Sequence, residues 1–137
     1  YLMVELGLQT IFDKTGERIN RCHSFDEFLK GYGELKKRGI NTCIHLILGL
    51  PGETTEMMKE SAKYVAKLEP TCVKLHLLHI LKGTKIAKEY ENGEFENLDK
   101  TITIEKEDAK FFYGQVTISI DGNGNYNIFV NICNNLL

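Results

Sequence analysis

No excess of basic charge, no long uncharged apolar run and no C-x-x-C pair occur in this sequence. A formal net charge of −2 leaves no electrostatic footprint for nucleic acid. No run approaches the roughly 18 apolar residues that a membrane-spanning helix needs, and no signal peptide is expected. The four cysteines, Cys22, Cys43, Cys72 and Cys133, are too scattered for a metal knuckle. They are expected to be reduced thiols of a cytoplasmic protein, Cys43 and Cys72 at the starts of strands. A phosphate-binding loop is excluded because the one Gly-Pro-Gly turn, at residues 49–54, lacks the lysine, and Pro51 removes an amide. No serine sits on a strained strand-to-helix turn, and no Cys–His pair is placed for nucleophilic catalysis. An initiator methionine is lacking too, so an amino-terminal segment is expected to have been cut away.

What is present fits one domain with a modest core: 137 residues, 42% hydrophobic and 26% charged. Residues 41–54, NTCIHLILGLPGET, organise it. An apolar run stopped by Gly and Pro reads as a buried parallel strand, and Thr54 or Thr55 can cap the helix beyond. Ligands of α/β folds bind at the carboxyl end of such strands. Residues 1–9 read as a strand, 13–20 as a short helix capped by Asp13, and Ser24 with Glu27 as a capping box opening a helix to Arg38. In that helix Phe25, Phe28, Leu29, Tyr32 and Leu35 share one face. The next, 56–68, has Met57, Ser61, Tyr64, Val65 and Leu68 as its inner stripe and ends at Pro70. A third strand is predicted over 72–81 and a short helix over 85–91. The order β-α-β-α-β-α predicts parallel strands with long crossovers, part of a barrel or a doubly wound sheet. Residues 92–107 read as polar and irregular, and 115–132 alternate around Asp-Gly-Asn-Gly as a β-hairpin.

Candidate chemistry lies at the strand ends. Gln9 closes the first strand, and Arg21 can return to the same mouth, where a guanidinium suits a carboxylate. Arg21 reads equally as a surface arginine, and His45 as a hydrogen-bonded core residue. His76 and His79 fall on opposite faces of the predicted third strand, which argues against a shared zinc ion. Lys74 and Lys82 read as solvated strand ends.

Four motifs in register carry a resemblance over about residues 1–95. Val4-Glu-Leu-Gly-Leu-Gln-Thr, Ile19-Asn-Arg, Leu46-Ile-Leu-Gly-Leu-Pro-Gly-Glu-Thr and Lys74-Leu-His-Leu-Leu-His-Ile-Leu-Lys-Gly-Thr resemble the radical S-adenosylmethionine (SAM) superfamily. They are most similar to its YhcC-like subgroup, with oxygen-independent coproporphyrinogen oxidase and elongator-type enzymes further off. The resemblance implies an α/β partial TIM-like barrel, with the three strands as strands four to six of a (β/α)6 core and a divergent hairpin tail over 96–137. It implies SAM as cofactor. Gln9 and Arg21 would hold the methionine moiety, Arg21 on its carboxylate, and His45 would stand where the coproporphyrinogen oxidase branch has a ribose-binding aspartate. Ile47 and Gly49 would lie along the adenosine, and Leu81 beside the adenine.

The family's 4Fe-4S cluster needs three cysteines on a loop after the first strand, and the four here cannot form it. The chain therefore reads as a fragment of an enzyme that generates a 5′-deoxyadenosyl radical from SAM, inactive alone: iron and sulfide should yield no cluster and no 5′-deoxyadenosine. The alternative is a non-catalytic half-barrel that binds a nucleoside-like ligand or pairs with another chain. The substrate is not legible. Membrane and nucleic acid are not expected partners, whereas self-association through the unpaired edge of the first strand is. Without an opposite barrel wall, Val4, Leu6, Ile44, Leu46, Leu75 and Leu77 are expected to be only partly covered, unless the tail hairpin adds to that edge.

Overall fold

The computed structural model describes residues 2–95 and, as backbone alone, three strands at 102–104, 116–120 and 126–130. The first stretch runs β1 (Met3–Gln9), α1 (Asp13–Arg18), α2 (Phe25–Lys37), β2 (Asn41–Leu48), α3 (Thr55–Leu68), β3 (Cys72–Leu77), α4 (Lys85–Glu91). The strands form one sheet in the order β1-β2-β3, parallel throughout. This is the alternation that the apolar runs and capping signals predict.

Local chemistry sets the helix starts. Ser24 and Glu27 complete a reciprocal capping box for α2, which satisfies amide donors that have no intrahelical partner. The hydroxyls of Thr54 and Thr84 cap α3 and α4. Asp13 differs from expectation: it is the first residue of α1 rather than its cap. Its carboxylate instead accepts from the Phe25 amide and from Arg21, tying α1 to the start of α2. The inner stripe of α3 is also rotated from the predicted one. Met58, Ser61, Ala62, Val65 and Ala66 are buried, whereas Tyr64 is exposed at the rim.

A strand's side chains alternate between faces, and here the two faces differ in kind. Leu8, Ile44 and Leu46 pack with Phe28 and Tyr32 of α2 and Val65 of α3, with Leu6, Val73 and Leu75 against them. Ile44 is fully buried, and Leu46 and Leu77 almost so. The expectation that Val4, Leu6, Ile44, Leu46, Leu75 and Leu77 are only partly covered fails for Ile44, Leu46 and Leu77, which are buried on the helix side. Leu6 and Leu75 are half-buried, packed against the same cluster rather than facing a barrel interior, and Val4 is half-buried on the same strand face. The open face carries Glu5, Gly7, Cys43, His45, Ile47, Lys74 and His76, the positions that alternate with the core set.

Two further corrections concern β3. It ends at Leu77, not at residue 81, because its partner β2 runs out at Leu48, the residue opposite Leu77. His79 therefore lies in the following loop. The expectation of reduced thiols also fails at one pair: Cys43 and Cys72 stand opposite each other in the ladder, their Cα atoms 4.6 Å apart, and are joined by a disulfide. Cys22 is free and exposed.

The later strands, β4 (Ile102–Ile104), β5 (Val116–Ile120) and β6 (Tyr126–Val130), form a separate antiparallel sheet. β5 and β6 pair as the alternation predicts, Ile120 opposite Tyr126; the turn residues between them lie outside the described residues. β4 falls within the stretch read as irregular, too short for its alternation to be distinctive. No ladder joins this sheet to β1, so the expected addition of the hairpin to that edge does not occur among the described strands.

Replacing Ile44, which is fully buried, tests the helix-side core. Ile44→Ala should cost about 2–5 kcal/mol in a urea melt, the range for deleting a buried aliphatic side chain. A loss below about 1 kcal/mol would place Ile44 on the open face.

Candidate functional site

At the carboxyl end of β1 the backbone makes a turn that few non-glycine residues adopt. Gln9 has φ of 61°, the register with β2 slips between Gly7 and Gln9, and the Thr10 amide bonds back to the Leu8 carbonyl at 2.8 Å. Left-handed backbone costs a non-glycine residue on the order of 1 kcal/mol or more, and such strain concentrates at functional sites. The turn folds the Gln9 amide over Gly7, where a Cβ would lie only 2.5 Å from Nε2. A side chain at position 7 would push the Gln9 amide out of this place. Oε1 of Gln9 is buried without a protein hydrogen-bond partner, an arrangement that costs about 1–3 kcal/mol unless a water or a ligand donates to it.

Arg21 closes the same turn from outside. Its side chain is 3% exposed. Nη1 donates to the carbonyls of Leu8 and Thr10, Nε to that of His23 at 2.8 Å, and Nη2 to Asp13 at 2.6 Å. Gly16 leaves room for this, since a Cβ there would come within 2.8 Å of the guanidinium. Sequence reasoning thus brings Gln9 and Arg21 to one place correctly. The guanidinium, however, is engaged in holding the turn, and four of its five N–H groups already have acceptors.

Glu53, in the Gly-Leu-Pro-Gly-Glu-Thr turn, supports Gln9 from the other side. It accepts from the hydroxyl of the fully buried Thr10. Burial pushes its carboxyl above the usual range, although hydrogen bonds from Thr10 and Thr15 act the other way. Arg18 then reaches α4, pairing with Glu89 at 2.9 Å and holding that largely buried carboxyl below its usual range. The loop after β1 is thereby tied to the loop after β2, and α1 to α4. Thr10, Glu53, Arg18 and Glu89 were not singled out from sequence; only the position of Thr10 and Glu53 inside quoted motifs pointed to them.

The remaining predicted residues are dispersed. The amide of the buried Gly49 (φ 83°) donates to the sulfur of Met58 at 3.2 Å. Ile47 is half-buried on the open face, beside His76 in the ladder. Leu81 is 67% exposed and lines a cleft of about 440 Å³ with His79, Ile80, Lys82, Ala87, Tyr90 and Glu91. His45 is not a core residue: it lies on the open face between Glu5, at 3.0 Å, and His76, at 2.9 Å. Its partners are 40 and 31 positions away, so no local signal could reveal them.

An open parallel sheet with a strained, unsatisfied turn at its carboxyl end is a ligand-binding architecture. The Radical SAM superfamily model matches residues 1–65, and the chain belongs to that superfamily through this segment. Uncharacterized protein YtqA of Bacillus subtilis is 50% identical over 100 residues, 73% of this chain and 31% of the relative. Protein YhcC of Escherichia coli is 41% identical over 96 residues, 70% of this chain and 31% of the relative. Among solved structures, Elp3 of Methanocaldococcus infernus with an N-terminal deletion superposes with TM-score 0.65 at 30% identity, covering 70% of this chain and 23% of that one. The chain thus spans about 31% of the length of these curated relatives, and its three parallel strands match part of the Elp3 fold. None of the helices among the described residues is long and apolar enough to cross a membrane.

Glu53 gives a pH test with a definite sign. Its folded pKa lies above the unfolded value of 4.5, so the folded state binds the proton more tightly. Its contribution is therefore greatest at or below pH 4.5 and is lost as pH rises through the folded pKa. Glu53→Gln keeps an acceptor for Thr10 without the charge. It should raise stability at pH 7 relative to pH 4.5, as measured by urea melts at both. An equal effect at the two values would mean that Glu53 ionises freely.

Proposed function

We propose that this chain supplies strands four to six of a radical SAM core and holds part of SAM at the carboxyl end of its sheet. The observation that carries the reading is Gln9: a strained backbone, a buried amide oxygen without a donor, and a glycine kept bare beneath it. A carboxamide oxygen in that state suits an ammonium group, and the amino group of the methionine moiety provides one. The exposed Leu81 and its cleft, in the loop beyond β3, offer apolar surface for the adenine. Arg21 acts here mainly by fixing the carbonyls on either side of Gln9. Direct contact with the carboxylate falls to its one remaining N–H.

The described residues of this chain do not fit a 4Fe-4S cluster. Cys43 and Cys72 are bonded to each other, Cys22 is isolated on the surface, and Cys133 lies outside the described residues. No group of three or more His, Cys, Asp or Glu side chains among the described residues could hold a metal ion. In a complete parent, SAM at a reduced cluster supplies a 5′-deoxyadenosyl radical; the part of this chain is to orient the cofactor and exclude water. Kinship with this superfamily also supports a cytoplasmic setting.

Equilibrium dialysis with labelled SAM tests the reading. The folded chain should bind SAM, and Gln9→Ala should weaken binding by about 1.5–3 kcal/mol, the range for a hydrogen bond to a charged group. Gly7→Ala should have a similar effect while leaving the urea melt nearly unchanged, because its new Cβ displaces only the flexible end of Gln9. Equal SAM affinity in all three proteins would remove Gln9 from the site.

A further inference from the structure

The open face carries a hydrogen-bonded chain that the cofactor contacts proposed at Gln9 and beside Leu81 do not draw on. Glu5 Oε2 lies 3.0 Å from Nε2 of His45, and Nδ1 of His45 lies 2.9 Å from Nε2 of His76. The imidazole rings stack with centroids 5.0 Å apart. The other oxygen of Glu5 accepts from Nζ of Lys74, and that bond is the main reason its carboxyl stays below the usual range.

With His45 neutral, the direction of every proton in this chain follows from chemistry. An ionised carboxylate only accepts, so Nε2 of His45 carries a hydrogen. With its hydrogen on Nε2, a neutral His45 has a bare Nδ1, and the donor to that nitrogen must be Nε2–H of His76. Both nitrogens of His45 are then occupied. Nδ1 of His76 is left as a bare acceptor, on an exposed residue, at the end of the chain.

We propose that Glu5, His45 and His76 form a one-way relay whose free end, Nδ1 of His76, accepts a proton or hydrogen bond from an O–H or N–H group of a ligand on the open face. On full transfer, the ligand's X–H bond breaks, the electron pair stays on X and the new N–H bond forms at Nδ1. The Nε2–H of His76 stays bonded to His45. The new imidazolium charge is balanced by Glu5 through His45, much as a carboxylate supports a histidine base. Anionic ligands are disfavoured, because the bare nitrogen and Glu5 repel them and Lys74 is already paired.

The charged and titratable groups facing His76 are Glu5 on β1, His45 on β2, Lys74 on its own strand and His79 beyond it. Burial first, then His45, Lys74 and His79, hold His76 below the usual imidazole value, and Glu5 alone acts in the opposite sense. The acceptor nitrogen is therefore free at neutral pH. The inference is independent of the proposed function, whose contacts lie at Gln9 and beside Leu81.

Diethyl pyrocarbonate, which acylates bare imidazole nitrogens, tests it on the full chain with peptide mass spectrometry as readout. His76 should be labelled about tenfold faster than His45, whose nitrogens must first break a hydrogen bond. Glu5→Gln should shift half-maximal labelling of His76 to lower pH, since the charge favouring its cation is removed. Lys74→Met should shift it to higher pH. Labelling of His45 as fast as His76 would overturn the relay, and so would a pH profile unmoved by both substitutions. SAM plays no part in the readout, so this result and that of the SAM dialysis fail or stand separately.

Discussion

The ladder on both edges of β2 is the constraint on which the rest depends. Cys43, Ile44, His45 and Leu46 have partners on both β1 and β3, and the other residues of this strand on one of the two; period-2 alternation then sorts side chains between two unlike faces. Thr42, Ile44, Leu46 and Leu48 go under the helices, and Cys43, His45 and Ile47 go to the open side. A slip of one residue would bury His45 and expose Ile44, so the apolar core and the polar face enforce one another. The disulfide between Cys43 and Cys72 lies across this same ladder.

The carboxyl end of the sheet uses that rigidity. A left-handed glutamine with an unsatisfied amide persists only where its surroundings over-determine it. Here Arg21 holds the carbonyls before and after Gln9, and Glu53 holds the hydroxyl of Thr10. The pair Arg18–Glu89 extends the support to α4, beside the cleft that Leu81 lines. Buried charge in this region is consistently paired or hydrogen-bonded, which is what makes it tolerable in a low-dielectric setting. Packing below and polar clamps above thus leave a single strained residue facing the ligand side.

Much of this was legible in the sequence because it rests on local signals. The apolar run ending in Gly-Leu-Pro-Gly, the Ser24–Glu27 box and the position of Arg21 near Gln9 all hold in the structure. Facing was harder. An apolar run does not say which of its faces meets helices, so Leu6, Ile44 and Leu46 read as barrel interior when they pack on the helix side. The stripe on α3 erred for a related reason: Met57 and Met58 are chemically alike, and only packing selects Met58. Register explains the other misses. The partnership of Cys43 with Cys72, and of His45 with Glu5 and His76, depends on which strand positions stand opposite each other, and spacing along the chain does not encode that. Arg21 was found as a charge, but the carbonyls that occupy it belong to a turn whose shape no propensity predicts.

The central claim is that the strained turn at Gln9 is a cofactor contact rather than a structural accident. Nitrogen-15 NMR of the full chain during a SAM titration addresses it most directly. The account predicts that the Gln9 side-chain amide and the backbone amides of Gly7 and Leu81 shift together with one saturation curve, while the amides of Glu34 and Lys37 on α2 stay fixed. A chain that remains folded with the Gln9 amide unmoved at saturating SAM would contradict it.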